Sequence, residues 1–338
     1  MSGAREDETD MVPCLRRDEA ERFAADVARC IVTATDGGSP SDTTDYALAV
    51  SGGPDSMAML ALAHAALPGR IAAATFDHRL RDGAASEAAM VATACASLGV
   101  PHATLTAERP ITGSSMQARA REARYDALVA WASGRPLLTA HHADDQAETL
   151  LMRLNRASGL AGLAAIRAAR WEEDTPIIRP LLAWRRAELR ATVEASGLPF
   201  VDDPSNADPR HDRTAIRALL AGTPALDPVA LAASAGYLAE AEEVVMRAAE
   251  IAWSSWRQSD PLVVADHPRE LRRRLLRRAI LDTRARLSIV LPPFTESSNV
   301  EPLLDALDAG RAATQGGVKV TPTRAGWTFA AAPPRRSH

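Results

Sequence analysis

Lysine is nearly missing from this chain: Lys319 is the only one, and arginine supplies the rest of the positive side-chain charge. Cysteine is almost as scarce. Cys14, Cys30 and Cys95 form no CxxC pair and no Cys/His spacing suited to a metal. That excludes a local zinc-binding motif and a disulfide framework, and it fits a reducing compartment. No uninterrupted apolar run reaches the length of about 18 residues that marks a membrane-spanning helix. The most apolar region, 57–76, is broken by His64, Pro68, Gly69 and Arg70. Residues 1–23 are polar and acidic without an apolar core, so they do not read as a secretory signal. GxxxxGK(S/T) does not occur, which excludes a Walker-type phosphate loop. No repeat of fixed period is present. The expectation is a soluble, cytoplasmic protein.

What is there is ordinary in bulk and specific in detail. The 338 residues are 46% hydrophobic, enough for two domains with packed cores. Net charge is −4, so a nucleic-acid surface has to be local rather than a property of the whole chain. Strand-length apolar runs at 46–50, 71–76 and 136–140 alternate with helix-length runs at 83–98, 117–131 and 142–155. This alternation predicts an α/β fold with a parallel, doubly wound sheet, whose ligands sit at the carboxyl ends of the strands. A further helix is expected at 18–32 and a loop at 35–45. The alternation stops near residue 170, and the Ala/Pro-rich stretch 221–228 reads as a boundary. Beyond it, 229–256 and 268–287 read as helices and the tail from about Gly310 has strand character. The predicted organisation is a flexible amino terminus (1–17), a catalytic domain (18–222) and a mainly helical accessory domain with a small β tail (223–338).

Ser51-Gly52-Gly53-Pro54-Asp55-Ser56 follows the first apolar run directly and precedes MAMLALAHAAL. Glycines after a buried strand let the chain turn so that successive N–H groups face one concavity, and the positive end of the next helix adds to it. The result is an anion cradle, with the Ser51 and Ser56 hydroxyls as extra donors. A second segment, His141-His142-Ala143-Asp144-Asp145-Gln146-Ala147-Glu148-Thr149, follows the apolar run 136–140. A helix beginning near Ala143 puts Asp145 and Glu148 on one face, three residues apart, at the same sheet edge as the cradle. Two carboxylates there can bind Mg²⁺ and recruit a cationic amine. Alternatively, Asp144 and Asp145 are simply capping acids.

SGGPDS resembles the PP-loop of the ATP pyrophosphatases, and the chain as a whole resembles the tRNA(Ile)-lysidine synthetases. HHADDQAET looks like their second signature. Asp77-His78-Arg79-Leu80-Arg81, Ala120-Arg121-Glu122-Ala123-Arg124-Tyr125, Leu151-Met152-Arg153-Leu154, Arg179-Pro180-Leu181-Leu182 and Asp203-Pro204-Ser205-Asn206 follow in the family's order. The resemblance implies an ATP-dependent, AMP-forming ligase that makes a carbon–nitrogen bond. The wobble cytidine of a CAU anticodon attacks the ATP α-phosphate, and free L-lysine then displaces AMP. It implies ATP and Mg²⁺ as cofactors, with Ser51, Gly52, Gly53, Pro54, Asp55, Ser56 and His78 on the nucleotide and Asp55 and Asp145 on the metal. Asp55, Arg121, Asp145, Glu148 and Arg213 are the implied catalytic residues. The partners implied are tRNA(Ile) with a CAU anticodon and free L-lysine, with no membrane; a homodimer stays open. The chain departs from the family's pattern at Asp77, where Asn is usual, at Ala157, where Gly is common, and at His211, Thr214 and Ala215.

Between 269 and 286, Arg269, Arg272, Arg273, Arg274, Arg277, Arg278, Arg284 and Arg286 are interspersed with leucines. Spacings of three and four predict a basic helical face suited to tRNA phosphates. Among the competing readings, a tRNA thiolase commonly carries cysteine pairs, which this chain lacks. An amidotransferase ligase needs a glutaminase partner, of which there is no sign. A non-enzymatic RNA binder predicts a damaged loop, and this one is intact.

Overall fold

The computed structural model describes residues 15–35, 45–79, 83–107, 116–202, 212–256, 261–264 and 266–333. The chain divides into two compact units, 1–239 and 240–338. Among the described residues no helix is long and apolar enough to cross a membrane.

The first unit is a six-stranded sheet in the order β3-β2-β1-β4-β6-β5. Its strands are β1 (Tyr46–Ala49), β2 (Ile71–Asp77), β3 (His102–Thr106), β4 (Leu137–Leu138), β5 (Ala169–Glu172) and β6 (Thr175–Ile178). Pairing is parallel from β3 through β6, and β5 closes one edge antiparallel. The central strands are buried on both faces, which is why Tyr46–Leu48, Leu137–Leu138 and Ile177–Ile178 are continuous rather than alternating apolar runs. One face packs against α1 (Arg17–Ala34), α2 (Pro54–Ala66), α3 (Ala84–Ser97) and α7 (Arg186–Ser196). The other packs against α4 (Met116–Ala132) through Tyr125, Leu128, Val129 and Ala132. α2 is enclosed, with every residue from Ser56 to Ala63 buried, so its amino end is held rigidly at the sheet edge.

Two features were not expected. β3 carries a mixed, half-buried pattern typical of an edge strand. The β5–β6 hairpin lies where the alternation had been expected to stop, and Thr175–Ile178 is only four residues long but wholly buried. α5 (Ala143–Asn155), α6 (Leu160–Leu163) and α8 (Asp212–Gly222) complete the unit, and α9 (Pro228–Ser254) spans the division at 239/240. The Asp203–Asn206 motif lies outside the described residues, as do Leu80, Arg81, His211 and Cys14.

The second unit contains α10 (Arg269–Arg286), α11 (Glu301–Asp308) and an antiparallel sheet of β7 (Ala313–Gln315), β8 (Val318–Thr323) and β9 (Gly326–Ala331) around Leu275, Leu276, Ile280, Leu304, Val318 and Trp327. The arginine-rich helix forms as expected, but its arginines are not a free basic stripe. Arg274 holds the buried Glu242 at 2.6 Å and Arg278 pairs with Glu250, both acids on α9. Arg269, Arg272 and Arg273 bind Glu301, Asp305 and Asp308 of α11. Buried Arg284 donates to the Gly316 and Val290 carbonyls. Acids remote in sequence thus pair with Arg269, Arg272, Arg273, Arg274 and Arg278, so the helix does not present the free run of positive charge that the spacing predicted.

Candidate active site

After Ala49 the chain stays in register for one more bond, Val50 N–H to the Ala74 carbonyl (2.9 Å), and then leaves the sheet through SGGPDS. Gly52 has φ +86°, where a side chain is strained, and a Cβ there would lie 3.2 Å from Met90 Cε. Gly53 is the N-cap of α2, and Pro54 occupies the first turn, where its missing N–H is of no consequence. The first-turn amides of α2 at Asp55 and Ser56 have no intrahelical acceptor. Ser56 braces the turn: its Oγ accepts from Ser51 N–H (3.1 Å), and its hydroxyl donates to the Gly53 carbonyl (3.0 Å). Ser56 is buried and committed, which leaves exposed Ser51 as the serine facing solvent. Val201 N–H ties the loop from outside by bonding the Gly52 carbonyl (2.9 Å).

β4 lies beside β1, so the segment after it arrives at the same edge. His142 is the N-cap of α5. Its Nδ1 accepts from Asp145 N–H (3.4 Å) while its own N–H donates to Asp145 Oδ2 (3.2 Å). The other ring nitrogen, Nε2, lies 3.5 Å from Asp55 Oδ2 and 3.5 Å from Asp145 Oδ2. A buried imidazole thus joins the two carboxylates that the sequence placed at the site. Burial works against its charged form, but the hydrogen bond to Asp55 and the charges of Asp145 and Asp55 outweigh it and raise its pKa. Burial likewise favours a protonated Asp145, yet the neighbouring His142, His141 and Arg213 and the His142 N–H hold that carboxyl below its ordinary range. His141 behaves oppositely to His142: burial, reinforced by Arg179, Arg121 and Arg124, outweighs Asp145 and lowers its pKa. Asp55 Oδ1 is buried without a hydrogen-bond partner.

Asp144 and Glu148 do different work from Asp145. Asp144 accepts the Arg186 N–H (2.8 Å) and bonds the Arg185 guanidinium, so it caps α7 rather than its own helix. Glu148, 1% exposed, receives Arg217 Nε at 2.8 Å, Arg213 Nε at 3.1 Å and Arg186 Nη2 at 3.4 Å. The Glu148 hydrogen bond outweighs burial to raise the pKa of Arg217, which also feels Asp145 and Asp55. Arg213 reaches Thr149 Oγ1 as well (3.3 Å). α8 is therefore clamped to α5 through one carboxylate, and its two arginines stand beside the Asp55–Asp145 pair.

His78 follows β2, one strand from the loop, with its ring edge-on to Phe76 at 4.8 Å. Asp77 Oδ1 accepts the Arg79 N–H (2.8 Å), a bond an Asn Oδ1 would make equally, so this departure leaves the turn unchanged. Arg121 stacks over Tyr125 at 5.0 Å and is not hydrogen-bonded to the Asp55–Asp145 pair among the described residues. Sequence reasoning missed His142, Arg186 and Arg217. His142 was legible as the residue before a helix start, and Arg217 as the i+4 neighbour of Arg213.

Residues 22–223 match the PP-loop domain family. The tRNA(Ile)-lysidine synthase of Novosphingobium aromaticivorans is 44% identical over 305 residues, covering 86% of this chain and 90% of that protein. That of Zymomonas mobilis is 39% identical, covering 86% and 89%. That of a Bradyrhizobium species is 38% identical, covering 82% and 83%.

Proposed function

Because the chain belongs to the tRNA(Ile)-lysidine synthase family, ATP-dependent carbon–nitrogen ligases built on a PP-loop domain, we propose that it converts the CAU-anticodon wobble cytidine of tRNA(Ile) to lysidine in the cytoplasm. The carrying observation is the meeting of the SGGPDS loop with the Asp55–His142–Asp145 bridge at one sheet edge. The cytidine O2 attacks the ATP α-phosphorus and pyrophosphate leaves. The ε-amine of free lysine then attacks C2 of the activated base, sheds its proton to solvent or a nearby base, and AMP departs with the former O2. Adenylation is needed because a carbonyl oxygen is otherwise a poor leaving group.

Each residue has a task in that sequence. The loop amides and Ser51 hold the departing diphosphate, where negative charge grows as the bond breaks. Arg213 and Arg217, pre-aimed by Glu148, offset the charge on the transferring group. His78, at the end of β2 beside the loop strand, is assigned to the nucleotide. Of the two carboxylates considered for the lysine amine, Glu148 is taken by three guanidiniums and is withdrawn from that role.

Asp55 and Asp145 suit a hard divalent cation: their oxygens converge on one nitrogen, and Asp55 Oδ1 has no other partner. Mg²⁺ is commonly held by one or two carboxylates plus substrate phosphates, and two carboxylates meet here. Bound there, Mg²⁺ would neutralise phosphate charge.

The test is nucleoside mass spectrometry of a tRNA(Ile) transcript incubated with protein, ATP and lysine. Lysidine should appear only with all three and not when the wobble base is uridine. Lysine-dependent AMP release that ignores the tRNA contradicts the proposal.

A further inference from the structure

Beyond the ATP site, at the carboxyl end of β6 and two strands over from the loop, arginines gather around one aromatic ring. Arg121, Arg124 and Arg170 lie 5.0, 5.5 and 4.9 Å from the centre of the Tyr125 ring. Arg179, the residue after β6, joins them electrostatically, its charge interacting with Tyr125, Arg170 and Arg121. Among the described residues the one acid bonded to any of the four is Glu172, on Arg170. Arg179 is 4% exposed; its Nη1 donates to the Arg167 carbonyl (2.7 Å), but its Nε has no hydrogen-bond partner. Four like charges around one ring and a buried, unbonded N–H are unfavourable in the free protein, and an incoming anion relieves both.

We propose that the Arg121–Arg124–Arg170–Arg179 cluster binds backbone phosphates of the RNA substrate beside the nucleotide being modified. The inference rests on the functional reading above. Charge selects the ligand. Free lysine carries two amines and one carboxylate, so four guanidiniums repel it overall, whereas RNA offers one negative charge per nucleotide. Tyr125 is 7% exposed with guanidiniums on its ring, so it is not a platform for stacking a base. Strand spacing sets Arg179, at the end of β6, about 10 Å across the sheet from the strand that leads into the PP-loop, a span that a splayed anticodon strand crosses without strain. The ATP phosphates already have the loop; the cluster takes a second anion.

The experiment measures binding of a CAU anticodon stem-loop RNA to the full chain by fluorescence anisotropy, between about 50 and 200 mM salt. Arg124→Gln and Arg170→Gln should each weaken binding on the order of tenfold and reduce the salt slope by about 0.7–0.9. The lysine KM and ATP affinity should not change. Arg190→Gln, removing an exposed arginine paired with Asp202 and Glu194, should leave RNA binding as it was. Arg170 is exposed, so its variant tests the cluster even if Arg124→Gln fails to fold. Folded variants that bind RNA with unchanged affinity and slope overturn the inference, as does a raised lysine KM with RNA binding intact. Wild-type protein that does not bind the stem-loop defeats the functional reading and this inference with it.

Discussion

Glu148→Gln removes the negative charge that three guanidiniums share. Cutting one partner from a buried ion pair costs about 3–5 kcal/mol. Here the Arg186, Arg213 and Arg217 side chains are 33, 46 and 31% exposed, so water recovers part of the loss. A net penalty of about 2–3 kcal/mol remains, since Glu148 itself is sealed from solvent. For a unit of this size that lowers Tm by about 5–10 °C. The damage should be local. Amide hydrogen exchange across Asp212–Gly222 should accelerate, because the carboxylate ties that helix to α5, while α2 and the central strands keep their protection. ATP–pyrophosphate exchange should fall with it as Arg213 and Arg217 lose their aim. Lost exchange with unchanged melting and unchanged protection in α8 would refute the reasoning, because Glu148 would then act on substrate rather than hold a helix.

Asp55→Asn should abolish ATP–pyrophosphate exchange while lowering Tm by only about 2–4 °C, since Asp55 Oδ1 has no partner to lose and the amide keeps a polar oxygen for His142 Nε2 in place of the charge. Ala157 sits at φ +50° on the surface, so Ala157→Gly should stabilise by about 0.5–1 kcal/mol, read as a rise in Tm; no rise would contradict the strain. Arg274→Ala strands the buried Glu242 and should lower Tm, whereas a basic stripe made for RNA predicts weaker RNA binding in a protein of unchanged stability. The hydrogen bonds from Arg273 and Arg269 hold the Glu301 pKa down from 4.5 to about 2. A depressed carboxylate stabilises above its unfolded pKa and loses that contribution as pH falls through the folded one. The Tm gap between wild type and Glu301→Gln should therefore be full near neutrality and close between about pH 4.5 and 2.

Most of the fold around the site was readable because it is local. The strand–loop–helix at 46–66 is spelled by one apolar run, two glycines and an Ala/Leu run, and α5 begins at Ala143, where the charge pattern placed it. The expected strand 136–140 shrinks to Leu137–Leu138, and four residues later His142 already caps α5. What resisted reading depends on partners far along the chain. The arginines of α10 look like an RNA surface until Glu242 and Glu301, about 30 residues away on either side, are folded against them. Glu148 looks like a ligand for an amine until α8, some 70 residues on, delivers two guanidiniums to it. Asp144 and Asp145 are adjacent, yet one caps α7 while the other closes the capping box of its own helix and shares His142 with Asp55, contacts of which only the capping box is local.

The most direct test follows the fate of ATP labelled at the α-phosphate when the protein meets CAU-anticodon tRNA(Ile) without lysine. The account predicts label on the RNA with pyrophosphate released in equal amount, and label appearing as AMP once lysine is added. Label recovered as ADP, with orthophosphate as the co-product, would contradict it.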